Sequence, residues 1–203
     1  MSLLTNWGYT LVTAEALPVA MTVQEFNTLT GGKYTGDTRI DPEIKSASLA
    51  LQNRCGWHLF GALACKISWT VKNRGIIFTG RDMLIQLPAR MVTGITSVKI
   101  ADVETTDYSL QPNGLLTVYD VSVSDRRNVV EVVYTAGIAN ESALQSLVAE
   151  MVIYKLVKSY GVTSEAAGGV SITYNSSWTN GSFDRIFDNN AALITPYRLE
   201  GVF

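Results

Sequence analysis

The chain holds one histidine, His58, beside Trp57 and next to an apolar run. An imidazole can serve as a general base near neutral pH, as a metal ligand, or as a structural hydrogen-bonding group. Either chemical role needs company. Cys55 lies at helical i, i+3 spacing from His58, but no carboxylate completes a nucleophile, base and orienting group around them. His58 therefore reads as a partly buried structural residue. The two cysteines, Cys55 and Cys65, have no second pair and form neither a disulfide framework nor a zinc knuckle, which makes them buried free thiols. Asp184, Asp188 and Asn189 lack the alternating oxygen ligands and closing glutamate of a calcium loop and read as a solvated turn. Gly31-Gly32-Lys33 lacks the spaced first glycine and the hydroxyl residue of a phosphate loop, and Arg126-Arg127 reads as a charged hairpin tip. Residue chemistry thus predicts no catalytic centre, no cofactor and no metal site.

Composition sets the frame for the elements that carry these residues. With 203 residues, 47% of them hydrophobic, the chain is long enough for one or two soluble globular domains with a real core. Charged residues make up 17%, below the usual share of about a quarter, which leans toward a surface partly covered by partners. Sixteen basic and eighteen acidic residues leave a net charge of −2, so no global field draws in nucleic acid. Met1 to Tyr9 has no basic start followed by an apolar run, the pattern of a secretory leader.

The longest helical pattern runs from Asn140 to Tyr160. Ser142 and Gln145 have capping-box spacing at its start, Lys155 and Lys158 suit the dipole at its end, and Gly161 supplies a left-handed stop. Its apolar residues cover a wider arc than a surface helix needs, so more than one side should be covered. At ~27–30 Å it crosses a small domain. It is short for a membrane span, and Glu150 and Lys155 interrupt it. Thr22 to Glu25 is a second capping box before a short helix at Val23 to Leu29; a further helix is expected from an Asp41 cap, with Ile44, Ala47, Leu51 and Cys55 at helical spacing.

From Ile67 the period changes to 2: Ile67, Trp69 and Val71 alternate with Lys66, Ser68, Thr70 and Lys72. Further strands are expected at Gly75 to Phe78, Met83 to Leu87, Ile95 to Ile100, Tyr108 to Leu110, Leu115 to Tyr119 and Val129 to Thr135. They predict a compact antiparallel sheet or small barrel inserted between the helices. Residues 1 to 20 read as an extended arm. Val170, Ile172 and Tyr174 suggest one more extended segment, and the tail after it is polar but studded with Trp178, Phe183, Ile186, Phe187, Leu193, Ile194, Tyr197, Leu199 and Phe203. A disordered tail is normally poorer in such residues. This one should dock, either on its own domain or on another chain.

The order of elements then matters more than any single residue. Asp41-Pro42-Glu43-Ile44, Cys55-Gly56-Trp57, Leu87-Pro88, Ile95-Thr96-Ser97-Val98-Lys99-Ile100, Asp107-Tyr108-Ser109-Leu110 and Val132-Val133-Tyr134-Thr135-Ala136-Gly137, followed by the long helix, resemble the head-tail connector (adaptor) proteins of tailed bacteriophages. The likeness covers about residues 18 to 175 and is most specific in the Leu-Pro, Ser-Val, Tyr-x-Leu, Tyr-Thr-Ala-Gly succession. It implies a non-enzymatic virion protein of the neck, assembled in the host cytoplasm into a homo-oligomeric ring, typically twelve-fold, beneath the portal protein. The ring would link portal to a tail-completion or stopper protein and extend a channel that DNA passes without specific binding. No membrane is involved.

Residue patterns and resemblance together predict an α+β fold: a small α-helical bundle with an inserted antiparallel β module and an extended C-terminal tail. The expected parts are an arm (1–20), helices (21–65), the β module (66–138), the long helix (139–161) and a docking tail (162–203). Phe183, Ile186, Phe187, Leu193, Ile194, Tyr197 and Leu199 are the expected portal-facing anchors. Leu144, Val148, Met151, Val152 and Leu156 are the expected subunit-interface residues on the long helix. The rival reading is a carbohydrate-binding or adhesion module on the β part, with Trp69, Tyr108, Tyr119 and Tyr134 as a stacking face.

Overall fold

The computed structural model describes residues 2–12, 14, 16–70, 73, 75–121, 129–139, 141–158, 164–167, 170–173 and 183–199. The expectations placed on Val71, Lys72, Ser124 to Asn128, Asn140, Tyr160, Gly161, Tyr174, Trp178 and Phe203 lie outside them. The fold is α+β, in two compact units. A sheet unit takes Met1–Leu17, Gly56–Ala139 and Tyr197–Phe203; a helical unit takes Pro18–Cys55 and Asn140–Pro196.

The sheet unit contains β1 (Leu3–Leu4), β2 (Thr10–Leu11), β3 (Leu63–Thr70), β4 (Ile76–Thr79), β5 (Asp82–Gln86), β6 (Val92–Ile100), β7 (Val103–Thr105), β8 (Tyr108–Leu110), β9 (Leu115–Val118) and β10 (Val129–Ala136). They form two open antiparallel sheets, ordered β1-β2-β3-β10-β6-β7 and β4-β5-β9-β8, rather than one sheet or a barrel. In the larger sheet Val132 stands opposite both Ile67 and Val98, so the inward residues of three strands form one apolar row. Cys65, Ile67, Trp69, Val98, Val130, Val132 and Tyr134 are all buried. The alternate positions carry charge: Lys66 pairs with Glu131 at 2.9 Å, and Glu131 faces Lys99, which faces Glu104. Period 2 thus separates a dry face from a self-neutralised wet one.

The expected arm at 1–20 is corrected. Its first part supplies β1 and β2, with Thr10 and Leu11 paired to Lys66 and Cys65, and the break between units falls after Leu17. The boundary expected at 65/66 moves to 55/56, because Gly56 to Ala62 is tied to the sheet unit's own backbone. Gly61 N–H donates to the Ile138 carbonyl and Ile138 N–H to the Leu59 carbonyl, both at 2.9 Å. Gly137 makes this approach possible: at φ 124°, a Cβ added there would stand 1.8 Å from the Gly61 carbonyl oxygen, so no larger residue fits. The Tyr-Thr-Ala-Gly run is therefore a packing corner.

The helical unit holds α1 (Val23–Leu29), α2 (Ile40–Cys55), α3 (Ser142–Lys158), the hairpin β11 (Ser164–Ala167) and β12 (Val170–Thr173), then α4 (Asp184–Asn189) and α5 (Ala191–Ile194). Thr22 and Glu25 form the expected capping box on α1. Two other caps are corrected. Asp41 lies inside the first turn of α2 and pairs with Lys45 at 2.6 Å. Ser142 is the first helical residue of α3, and the Gln145 amide donates to the Ala20 carbonyl at 3.2 Å. α2 buries Ile44, Ala47, Leu51 and Cys55 as their spacing predicts. It also buries Ser48, which accepts from Ala20 N–H, and Gln52, which donates to the Pro18 carbonyl. These side chains satisfy backbone groups of the non-helical stretch before α1. α3 packs on α1, α2 and β12. Among the described residues, no helix is long and apolar enough to cross a membrane.

Candidate partner-binding segment

His58 is the natural place to look for chemistry, and its surroundings exclude it. The side chain is buried, with Nε2 at 2.9 Å from the Ala136 carbonyl and Nδ1 at 2.7 Å from the Tyr9 hydroxyl. A carbonyl only accepts, so the proton sits on Nε2 and Nδ1 accepts from Tyr9. The Tyr9 oxygen in turn accepts from His58 N–H at 2.7 Å, closing the set. Burial holds the imidazole below its usual range and pushes the Cys65 thiol up to about 12. That thiol, 3.8 Å from Nε2, stays protonated and is not a nucleophile. Tyr9 and Tyr134 are likewise raised by burial. The cluster fastens β2 and the 56–61 loop to the end of β10.

The rival aromatic face does not assemble. Trp69 and Tyr134 are buried, and Trp69 Nε1–H donates to the Gly8 carbonyl at 3.1 Å. Tyr108 and Tyr119 are on the other sheet, or just beyond its strand β9, with the Tyr119 hydroxyl 2.7 Å from that of Ser109. Among the described residues no group of three or more His, Cys, Asp or Glu side chains is placed to hold a metal ion.

The segment Phe183–Leu199 is more informative. α4 and α5 are one turn to a turn and a half long, too short to be stable alone in water, so their burial must come from a seat. Phe183, Ile186, Phe187 and Ile194 recur at helical spacing and are all buried. The Phe183 ring meets Tyr154 edge-on at 6.5 Å and lies 4.9 Å beneath the Lys155 ammonium. Arg54 on α2 lies 5.7 Å over Phe187 and reaches Asp188 at 3.5 Å. Glu150 on α3 stands beside Asn190, and burial raises its carboxyl above the usual range while the Asn190 side chain lowers it. The Arg54–Asp188 pair is largely exposed and is worth ~0–1 kcal/mol; each cation over a ring adds ~0.5–1 kcal/mol. Two buried phenylalanines at ~2–3 kcal/mol each outweigh them. Apolar burial decides where the segment sits, and the charges set its register.

The seven expected portal-facing anchors divide by burial. Phe183, Ile186, Phe187 and Ile194 are buried in the chain's own fold; Leu193, Tyr197 and Leu199 are half-buried. The Tyr197 carbonyl accepts from Trp57 Nε1–H at 2.6 Å, and Leu199 lies against Gly56. The five expected interface residues of α3, Leu144, Val148, Met151, Val152 and Leu156, are also fully buried within the chain. The excess apolar arc is used by the chain itself, because α1, α2 and β12 all pack on this helix.

Sequence reasoning missed the exposed apolar residues Leu4 (76%), Val103 (70%) and Ile77 (59%), which stand on β1, β7 and β4. Each of these is an edge strand of its sheet. An exposed edge with apolar side chains is a pairing site unless something blunts or covers it. β1 and β7, of two and three residues, are too short for periodicity to mark, and the strand expected at Gly75 to Phe78 gives no sign that Ile77 stands on an edge. The turn at Ala101-Asp102, both at positive φ, is the local sign that Val103 begins a return strand.

The family of head completion proteins matches this chain over residues 20–183, which takes in most of both units. No curated protein matches it.

Proposed function

We propose, from the premise that this chain belongs to the head completion protein family, that it forms a ring beneath the portal and joins it to the tail or a stopper protein. The family gives the coarser facts: a structural role in a phage head, contact with other head or tail proteins, and a place in the virion. The observation that carries the finer reading is the pair of apolar edges on one sheet. A ring joins unlike surfaces head to tail, and Leu4 on β1 and Val103 on β7 lie on opposite edges of the six-stranded sheet. Leu193, Tyr197 and Leu199, half-exposed on the C-terminal segment, face the portal in this reading. Phe183, Ile186, Phe187 and Ile194 hold that segment in place. DNA passes through the ring without specific contacts.

Electron microscopy of the neck tests this reading. A ring of this chain between portal and tail is expected, and an average without density for it there overturns the proposal. Leu4→Lys and Val103→Lys, at solvent-exposed positions, are expected to leave the melting temperature of the monomer unchanged and to abolish rings. Rings of normal stability in both variants end the assignment of these edges.

A further inference from the structure

Ile77 is the exposed edge residue that the ring reading leaves unused. We infer that the outer face of the sheet β4-β5-β9-β8, on which it stands, docks another head or tail protein, one presenting an apolar patch flanked at one end by Lys or Arg. Directly opposed residues share a face, so Ile77, Leu84, Thr117 and Ser109 form one row across all four strands. Leu115 and Tyr119, two positions either side of Thr117, point the same way. The Tyr119 hydroxyl, 2.7 Å from the Ser109 oxygen, ties its ring to that row. The opposite face is the dry one, where Met83, Ile85 and Leu116 are fully buried.

The solvated face of an antiparallel sheet is normally polar. The larger sheet obeys this with its row Ser68, Glu131, Lys99 and Glu104. The smaller sheet does not: Ile77 is 59% exposed and Tyr119 40%, Leu84 and Leu115 are half-buried, and the row from Ile77 to Ser109 holds no charge. Charge gathers beyond the row at the Tyr119 end, where Asp82 faces Thr79 and Asp107 accepts from Tyr119 N–H. Arg81 pairs there with Asp120 at 3.1 Å, so among the described residues this end has more carboxylates than cations. A second copy brings the same acidic end and no base to meet it. Charge therefore selects a partner of different composition, and family membership implies contact with such proteins.

Area points the same way. Four strands at ~4.8 Å spacing and four residues at ~3.4 Å make a face of about 270 Å². A stable complex of standard size buries ~800 Å² on each partner, so two free copies do not hold each other by this face and a single copy binds any partner weakly. Copies fixed side by side bind one partner assembly together, and effective concentration supplies the rest. The strength of docking thus rests on the ring reading above, while its location rests on the sheet alone.

The test uses phage heads and tails from an infection in which this chain is not made, each mixed with labelled full-length chain and separated by sedimentation. Wild-type rings are expected to bind heads or tails, and rings that bind neither overturn the docking face. Ile77→Lys and Tyr119→Ser, at exposed positions, are expected to keep the melting temperature and the ring mass in mass photometry while lowering that binding by about tenfold or more. Asp107→Lys is expected to weaken binding and to flatten its dependence on salt. Intact rings that bind normally in both Ile77→Lys and Tyr119→Ser overturn the face and leave the ring standing. A wild-type chain that forms no rings overturns the ring reading, and the face is then judged by whether Ile77→Lys abolishes binding of the single chain at high concentration. Rings that pair into double mass, and lose this with Ile77→Lys, identify a second copy as the occupant and overturn the partner assigned here.

Discussion

His58 has both ring nitrogens and its own backbone N–H committed, and this makes it sensitive to acid. Protonation would place a second N–H on Nδ1, facing a Tyr9 hydroxyl that already accepts from His58 N–H. The folded state therefore prefers the neutral ring, and burial holds its pKa below the ordinary 6.5. The sign follows. A group with a depressed folded pKa contributes stability that is present above the unfolded value and lost as pH falls through the folded one. Stability is expected to decline below about pH 6.5, and His58→Gln is expected to remove that component. The same substitution should lower stability at neutral pH by about 1–3 kcal/mol, because the Ala136 carbonyl or the Tyr9 hydroxyl loses its partner. Urea melts across pH, comparing the two proteins, measure both effects; parallel curves at all pH values would sink the assignment. Glu150 has the opposite sign. Its raised carboxyl gives stability that is present below its ordinary 4.5 and lost as pH rises through the folded value. Glu150→Gln is expected to raise the melting temperature at about pH 8 and to change it little near pH 4.5.

At the scale of elements, the C-terminal segment behaves as a separately held piece of the helical unit. Truncating a buried phenylalanine costs roughly 3 kcal/mol, more than a seat made of two short helices and exposed ion pairs can spare. Phe187→Ala is expected to release α4 and α5 while α1, α2 and α3 remain folded. Amide exchange would then rise at residues 184–194 alone, and protection lost throughout α3 would contradict this. The same elements show what was legible in the chain. Val23–Leu29 was readable residue for residue because its cap, Thr22 with Glu25, is local. Tyr108–Leu110 and the cores of β3 and β10 were readable because alternation is local too. What escaped depended on distant partners. Gln145 has a neighbour's capping chemistry within reach yet donates to Ala20 instead. The two-residue strands β1 and β2 exist only because β3 offers them an edge. The tail's apolar spacing was visible, but spacing does not say whose surface covers it. Phe183 and Phe187 are covered by Tyr154, Lys155 and Arg54, far away in sequence.

For the whole molecule, a subunit of the proposed ring must let a polyanion pass without holding it. Affinity for duplex DNA scales with the phosphates neutralised by unpaired cations, and it appears as a steep loss of binding with salt. This chain has a net charge of −2. Among the described residues, five of its cations are paired with acids: Arg39 with Asp37, Lys45 with Asp41, Arg54 with Asp188, Lys66 with Glu131 and Arg81 with Asp120. The Lys66, Glu131, Lys99, Glu104 row across the large sheet repeats the pattern, since each charge faces its opposite rather than a neighbour of like sign. A basic stripe would have concentrated positive potential along one face. Alternation within a row cancels it over a distance comparable to the ~8 Å screening length at physiological salt. The chain is therefore expected to show no measurable duplex DNA binding at about 0.15 M salt and only weak binding at about 0.05 M. Fluorescence anisotropy with a labelled duplex across that range measures it. A salt slope corresponding to several released counterions would mean that the protein grips DNA, and a passive channel wall would no longer describe it.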